Sequence, residues 1–311
     1  LLGWSLLILF RILRLLLAGS TGQHALALLF YLVFNLGAVF SLPEQPLWYG
    51  NVSEADSAHL KAVNVENTYY QQPGLVEDSL HFIEPGKPGI EEFFFLGFAP
   101  DARQDVFIKE SRDVQEIVDR RLGTYQRSLL LASHLETYRE QPLANSHNLR
   151  AALNAYGKKM NPEDVLVLFL TSHGSKTYEL SVEFARMQFN YLSAKKLAGM
   201  LHSSGIGWRV IVISACYSGG FIDHLKDPQA LVITAAARCR QSAGCTADSD
   251  ATWFTDAYFR QALPQAQSFI DAFDIARQQV RLREQQNGEE LSNPQMFIGE
   301  AIQHKLDSIQ L

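Results

Sequence analysis

Two residues able to do nucleophilic chemistry each stand at the end of an apolar run. Val165-Leu166-Val167-Leu168-Phe169-Leu170-Thr171 leads into Ser172-His173-Gly174, and Val210-Ile211-Val212-Ile213-Ser214-Ala215 leads into Cys216-Tyr217-Ser218-Gly219-Gly220. A thiol attacks as its thiolate, and a neighbouring imidazole favours that form or takes the proton. Acyl transfer also needs donors for the developing oxyanion, and the backbone N–H groups of Gly174 and Cys216 are placed to supply them. The pattern is that of a cysteine hydrolase. A lone His or Cys is often simply packed, but a matched pair at the ends of two such runs is harder to assign to packing. A serine hydrolase is poorly supported, since Cys216-Tyr217-Ser218-Gly219 lacks the G-x-S-x-G elbow.

Short continuous runs rich in β-branched residues read as strands buried on both faces, the habit of a parallel sheet. Sites in such sheets form outside the carboxyl ends of the strands. Further strands are expected at Glu92–Phe98, Ser128–Ala132 and Ala230–Thr234. Val114, Ile117, Val118 and Leu122 share one helical face, residues 146–158 form a helix ending near Gly157, and Leu197, Met200 and Leu201 mark another. Leu180, Val182 and Phe184 alternate as a hairpin arm. Helices follow at about 250–262 and 268–286, the second opening with Ser268 and Asp271 in capping spacing. Strands alternating with helices predict an α/β fold with a mostly parallel central sheet covered on both faces.

The net charge of −6, with no basic tract, argues against a nucleic-acid partner. Three cysteines are too few for a disulfide framework. Cys239 and Cys245 read equally well as a pair or as two ordinary thiols, and either way Cys216 is the odd one. His134, His147, His202 and His224 have no metal-ligand spacing and read as structural.

The N-terminal 42 residues have a different character. From His24 to Leu42 no side chain carries a formal charge apart from the histidine, and about 20 such residues span a bilayer as a helix. Residues 1–10 are also apolar and read as the end of an earlier segment. Arg11 and Arg14 lie between the runs, while Glu44, Glu54 and Asp56 follow, which places the region after residue 42 across the membrane from the arginines. A signal peptide and a buried helix pair are the rivals to an anchor. Prolines 43, 46, 73, 85 and 88 mark residues 43–90 as a tether and irregular extension with a short helix around 54–71. Residues 91–311 remain for one catalytic domain.

The two blocks ending in Ser172-His173-Gly174-Ser175 and Ser214-Ala215-Cys216-Tyr217-Ser218-Gly219 resemble those of the legumain-type cysteine peptidases of the caspase-like clan. Phe95-Leu96-Gly97-Phe98-Ala99, Gln104-Asp105-Val106-Phe107 and Ser292-Asn293-Pro294-Gln295 are similar to stretches of the bacterial, membrane-associated branch. The resemblance covers about residues 60–305. It implies a caspase-like three-layer α/β/α sandwich, with His173 as general acid/base and Cys216 as nucleophile. It also implies substrate-binding roles for Asp256 and Ser242, and for Arg103 as the arginine of an S1 pocket. Two positions depart from the family pattern. Ser214 stands two residues before the nucleophile, where legumains carry an acid, and Ser172 stands where they commonly have Asp. Losing that acid removes the basis for assuming the asparagine specificity of plant and animal legumains.

The expectation is a membrane-anchored cysteine endopeptidase of peptide or protein substrates, needing no metal or organic cofactor. Its catalytic domain would face the periplasm of a bacterium. A transamidase using the same dyad and a catalytically silent membrane scaffold are the alternatives.

Overall fold

The computed structural model describes residues 63–246 and 249–309, together with Arg11 and Leu29. The apolar run of residues 24–42, apart from Leu29, and the start of the helix expected at 54–71 lie outside the described residues. None of the described helices is long and apolar enough to cross a membrane.

Six strands form one sheet: β1 (Phe93–Ala99), β2 (Ser128–Ala132), β3 (Val165–Thr171), β6 (Trp208–Ser214), β7 (Ala230–Thr234) and β8 (Gln295–Ile298). Their order is β2-β1-β3-β6-β7-β8, and every pairing is parallel except that of β8 on β7. The continuous apolar runs are explained by burial on both faces. In β3, Leu166, Leu168 and Leu170 enter one core while Val165, Val167 and Phe169 enter the other. Alternate residues of β1 and β6 divide the same way, as the two-residue period of a strand requires.

Helices complete the two outer layers. On one face lie α3 (Ser146–Lys159) and α4 (Ala194–Ser204), through Leu149, Leu153, Tyr156, Leu197 and Leu201. On the other lie α2 (Val106–Leu122), α7 (Phe269–Asn287) and α8 (Glu300–Asp307). The helix expected at 250–262 begins as α6 (Trp253–Thr255) and continues as a π-helical segment, Asp256–Ala262, whose Tyr258 and Phe259 are fully buried. A short α5 (Ile222–Leu225) follows β6. Each fully buried phenylalanine of this core is worth roughly 2–3 kcal/mol of apolar burial.

Three local features differ from the sequence reading. Helix α1 runs over Val65–His81, capped by Asn64 Oδ1, which accepts from the Asn67 N–H at 3.0 Å. It carries Pro73 in its interior, so a proline read as a loop marker sits inside a helix. The hairpin arm contributes only two-residue strands, β4 (Glu179–Leu180) and β5 (Leu192–Ser193), although Val182 and Phe184 are buried beside it. Helix α3 does not end at Gly157 but passes through it to Lys159. A β-carbon there would collide with the Ser204 carbonyl at the end of α4. Gly157 is therefore a close-packing residue and not a terminator.

Gly157→Ala is expected to destabilise the fold by about 1–3 kcal/mol, since the opposing atom is backbone and cannot rotate away. Urea denaturation monitored by tryptophan fluorescence reads this; an unchanged midpoint would contradict the packing argument.

Candidate active site

The β3–β6 pairing carries its register to the site. Thr171 stands opposite Ser214, and the Ser172 N–H donates to the Ser214 carbonyl at 3.3 Å, one step beyond the strands. The next residues, His173 beyond β3 and Cys216 beyond β6, line a single narrow cleft of about 10 Å³. Gly174 lies directly against the Cys216 carbonyl, where any β-carbon would clash. After Cys216 the chain turns sharply, with Tyr217 at φ 57°, a left-handed conformation held by its N–H donating to the Arg240 carbonyl at 2.8 Å. The β4 arm fixes the other side: the Ser181 N–H donates to the His173 carbonyl at 2.9 Å.

The sulfur of Cys216 rests on the backbone of one residue, Ser242. The Ser242 N–H donates to Sγ at 3.4 Å, and Sγ reaches the Ser242 carbonyl at 3.6 Å. Burial pushes the thiol above its ordinary value, with the Ser242 backbone opposing. The His173 ring meets Phe107 edge-on, centroids 5.1 Å apart. Burial lowers its basicity; Asp101 works against this and Arg103 with it. Both partners are therefore neutral at rest near pH 7.

Asp101, at the end of β1, is the residue that the sequence reading missed. Its carboxylate is buried and accepts from the Arg103 N–H at 3.0 Å and from Arg103 Nε at 2.9 Å. Burial raises its pKa, but the Arg103 contacts outweigh it and the net shift is downward. Arg103 also donates to Ser181 Oγ at 2.9 Å. Arg103 is thus engaged with Asp101 and Ser181 and does not line the cleft; it acts on His173 only through its charge.

Ser214, Ser242, Cys216 and His173 all line the cleft, joined by Phe107, Thr252 and Cys245. Asp256 does not. Its carboxylate meets Arg283 at 3.2 Å, Arg260 at 3.8 Å and the Gln261 side chain at 2.9 Å. All three cysteines are free thiols.

The sequence profile of the Peptidase C13 family matches residues 145–305, which include both reactive residues and both strands that carry them. The chain belongs to this family of cysteine peptidases. Among solved structures it is similar to caspase-1 from Spodoptera frugiperda, at 12% identity over 67% of this chain and 86% of that one, with a TM-score of 0.46. A second similar structure, of pro-sf-caspase-1, shares 10% identity over 67% of this chain and 92% of that one, with a TM-score of 0.49. A comparison with curated protein sequences finds no match.

Beneath the cleft of this C13 peptidase lies a carboxylate that the sequence pattern did not single out. Glu110, on α2, is fully buried and has no cationic partner among its contacts. It accepts from the Thr171 hydroxyl, from the Thr252 N–H at 2.7 Å and from the Thr252 hydroxyl at 2.9 Å. Thr252 Oγ1 in turn lies 2.9 Å from Ser214 Oγ, and the Thr255 hydroxyl donates to Ser214 Oγ at 3.0 Å. The chain of hydroxyls runs from α2 to the strand that carries Cys216. Burial outweighs these bonds and raises the Glu110 pKa from 4.5 to about 7.

That shift makes Glu110 a stability group with a definite sign. Between 4.5 and about 7 the folded state holds a proton that the unfolded state has released. Stability is then fully present below the unfolded value and falls as pH rises toward about 7, by up to about 3 kcal/mol. Urea midpoints at about pH 5 and about pH 8 should show this loss in the wild type and a smaller one in Glu110→Gln, which keeps the shape without the titration. Equal pH dependence in both proteins would remove Glu110 from this role.

Proposed function

We propose that this C13 peptidase is a membrane-anchored endopeptidase in which Cys216 is the nucleophile and His173 the general acid/base. The observation that carries this reading is that the paired ends of β3 and β6 bring the two side chains to one cleft, with Gly174 packed on the Cys216 backbone. A peptide laid across the cleft presents its scissile carbonyl to Sγ. His173, neutral at rest, accepts the thiol proton as the carbon–sulfur bond forms, and the carbonyl π electrons move onto oxygen. The N–H groups of Gly174 and Cys216 are suited to that oxyanion. On collapse, the carbon–nitrogen bond breaks and the imidazolium returns the proton to the leaving amine. A water, deprotonated by His173, then hydrolyses the thioester and regenerates the thiol.

The residues proposed for substrate binding are Ser242 and Ser214, which line the cleft, and Arg103, which Asp101 and Ser181 hold outside it. The apolar stretch from His24 to Leu42 and the preceding Arg11 and Arg14 support a bilayer anchor, with the catalytic unit on the periplasmic side of a bacterial inner membrane.

Acyloxymethyl-ketone peptide probes with Asn, Asp or Arg at P1 test the chemistry. Labelling of the wild type should vanish in Cys216→Ala and fall by about a hundredfold or more in His173→Ala. A reactive wild type whose labelling survives Cys216→Ala would sink the assignment. Product analysis with an added amine would distinguish hydrolysis from amide transfer.

The pH dependence follows from the same neutral pair. With His173 lowered from 6.5, activity should persist at that pH and fall only in more acidic solution, where the imidazole is protonated. With the thiol raised from 9.0, iodoacetamide alkylation of Cys216 should climb in alkali without a plateau near neutrality. A reactive thiolate plateau at pH below about 7 would instead indicate a resting ion pair.

A further inference from the structure

A cavity of about 590 Å³ lies between α1, the first turn of α3 and the start of α4, and it shares no lining residue with the cleft of Cys216. Its charged or ionisable lining residues are His147, Arg150 and Lys196, and no aspartate or glutamate lines it. An adjoining cavity shares Arg150 and Lys196 and adds Lys195, again without an acid. In a chain of net charge −6, this is a local reversal of sign.

The backbone adds to it. Gly157 near the end of α3 touches Ser204 at the end of α4, while Arg150 and Lys196, in the early turns of the same two helices, line one cavity. The helices therefore run side by side in the same direction and present their N-termini together. Each N-terminus carries about half a positive charge, and neither helix has an acid in its first turn to offset it. Two like poles and three basic side chains converge on one space.

The independent sign of a ligand is on α1. Gln72 is 5% exposed and lines the cavity. Its Oε1 accepts from the Leu143 N–H at 2.8 Å and from Asn148 Nδ2 at 2.9 Å, which fixes the orientation of the amide. Nε2 is thereby left as a buried donor with no acceptor, and the buried Ser146 hydroxyl has no partner either. A buried donor left unmade costs about 1–3 kcal/mol, a penalty that an acceptor-rich ligand would remove. An amide donor from α1, a hydroxyl and a guanidinium from α3 and an ammonium from α4 come from different directions, which suits the three-dimensional spread of a phosphate's oxygens better than the planar pair of a carboxylate. A tetrahedral oxyanion can use them.

We propose that the cavity between α1 and the paired N-termini of α3 and α4 is a binding site for a phosphate group, held by Gln72, Ser146, Arg150 and Lys196. The phosphate belongs either to a soluble phosphomonoester or to a lipid headgroup. The aromatic wall of Tyr69 and Phe189, rings 6.0 Å apart, suits an organic body attached to that phosphate.

Isothermal titration of the full chain with inorganic phosphate, at constant ionic strength against chloride, tests the site. The wild type should bind saturably. Gln72→Glu keeps the two accepted hydrogen bonds and replaces the free donor with a negative charge, so binding should weaken about tenfold or more. The double variant Arg150→Gln with Lys196→Gln should weaken it similarly, and this pair lies outside the buried core, so it serves if Gln72→Glu fails to fold. Displacement of bound phosphate by a soluble short-chain phosphatidic acid at lower concentration than by glycerol 3-phosphate, lost in the double variant, would assign the source to a headgroup. The reverse order would assign it to a soluble phosphomonoester. No saturable binding by the wild type, or binding unchanged in the double variant, overturns the proposal.

Discussion

The parallel pairing of β3 with β6 is the constraint on which the rest depends. Seven residues of each strand are in register from Val165–Trp208 to Thr171–Ser214, in the middle of a six-stranded sheet. Both strands are buried on both faces, so a slip of one residue would move every side chain into the wrong core. The cleft residues inherit this rigidity: His173 follows Thr171 by two positions and Cys216 follows Ser214 by two. The loops beyond need only redirect the chain, which Tyr217 and Gly174 do through one left-handed turn and one close backbone contact. Precision at the cleft comes from hydrophobic burial several residues away.

Electrostatics at the cleft is governed more by desolvation than by charge pairing. Burial lowers the basicity of His173 and raises the thiol, and the nearest fixed carboxylate, Asp101, is tied to Arg103. The attraction of Asp101 for an imidazolium is thus partly cancelled by the guanidinium beside it. A neutral pair keeps the sulfur protonated until a carbonyl is in place, which suits a proton transfer concerted with attack.

The strands, and the meeting of His173 and Cys216 at one cleft, were legible because double-sided burial writes itself as unbroken apolar runs. Ser268 was legible as a cap, and its hydroxyl accepts from the Asp271 N–H at 3.0 Å. Other features depend on residues distant in sequence and left no decisive local pattern. β8 is a four-residue antiparallel edge, half-exposed, and its apolar Met296-Phe297-Ile298 is too short a run to mark a strand. Glu110 stands at i, i+4 spacing with Val114 and Val118, so the helical period puts it on the buried face, but nothing near it in sequence shows what a carboxylate there would bond to. Its burial follows from Thr171 and Thr252, which lie 61 and 142 residues away. The Pro73 of α1 misled for the opposite reason: a strong local signal was overridden by packing of Thr68, Gln72 and Val76.

The relation between Ser214 and Glu110 shows how such distant placements constrain one another. The resemblance to legumains leads one to expect an acid at position 214, and a hydroxyl stands there instead. Ser214 Oγ is joined to Thr252 Oγ1, which is joined to Glu110 Oε2, each at 2.9 Å. A carboxylate at 214 would therefore lie two short hydrogen bonds from a second buried carboxylate, with no cation between them. Like charges so placed cannot both ionise, and one would be held protonated at neutral pH. Serine at 214 lets Glu110 ionise without a like charge two hydrogen bonds away, whereas a second acid there would have to stay protonated when Glu110 ionised. The acidic group beneath the cleft enters from α2 rather than from β6, and its hydrogen bonds reach Ser214 through the hydroxyl of Thr252.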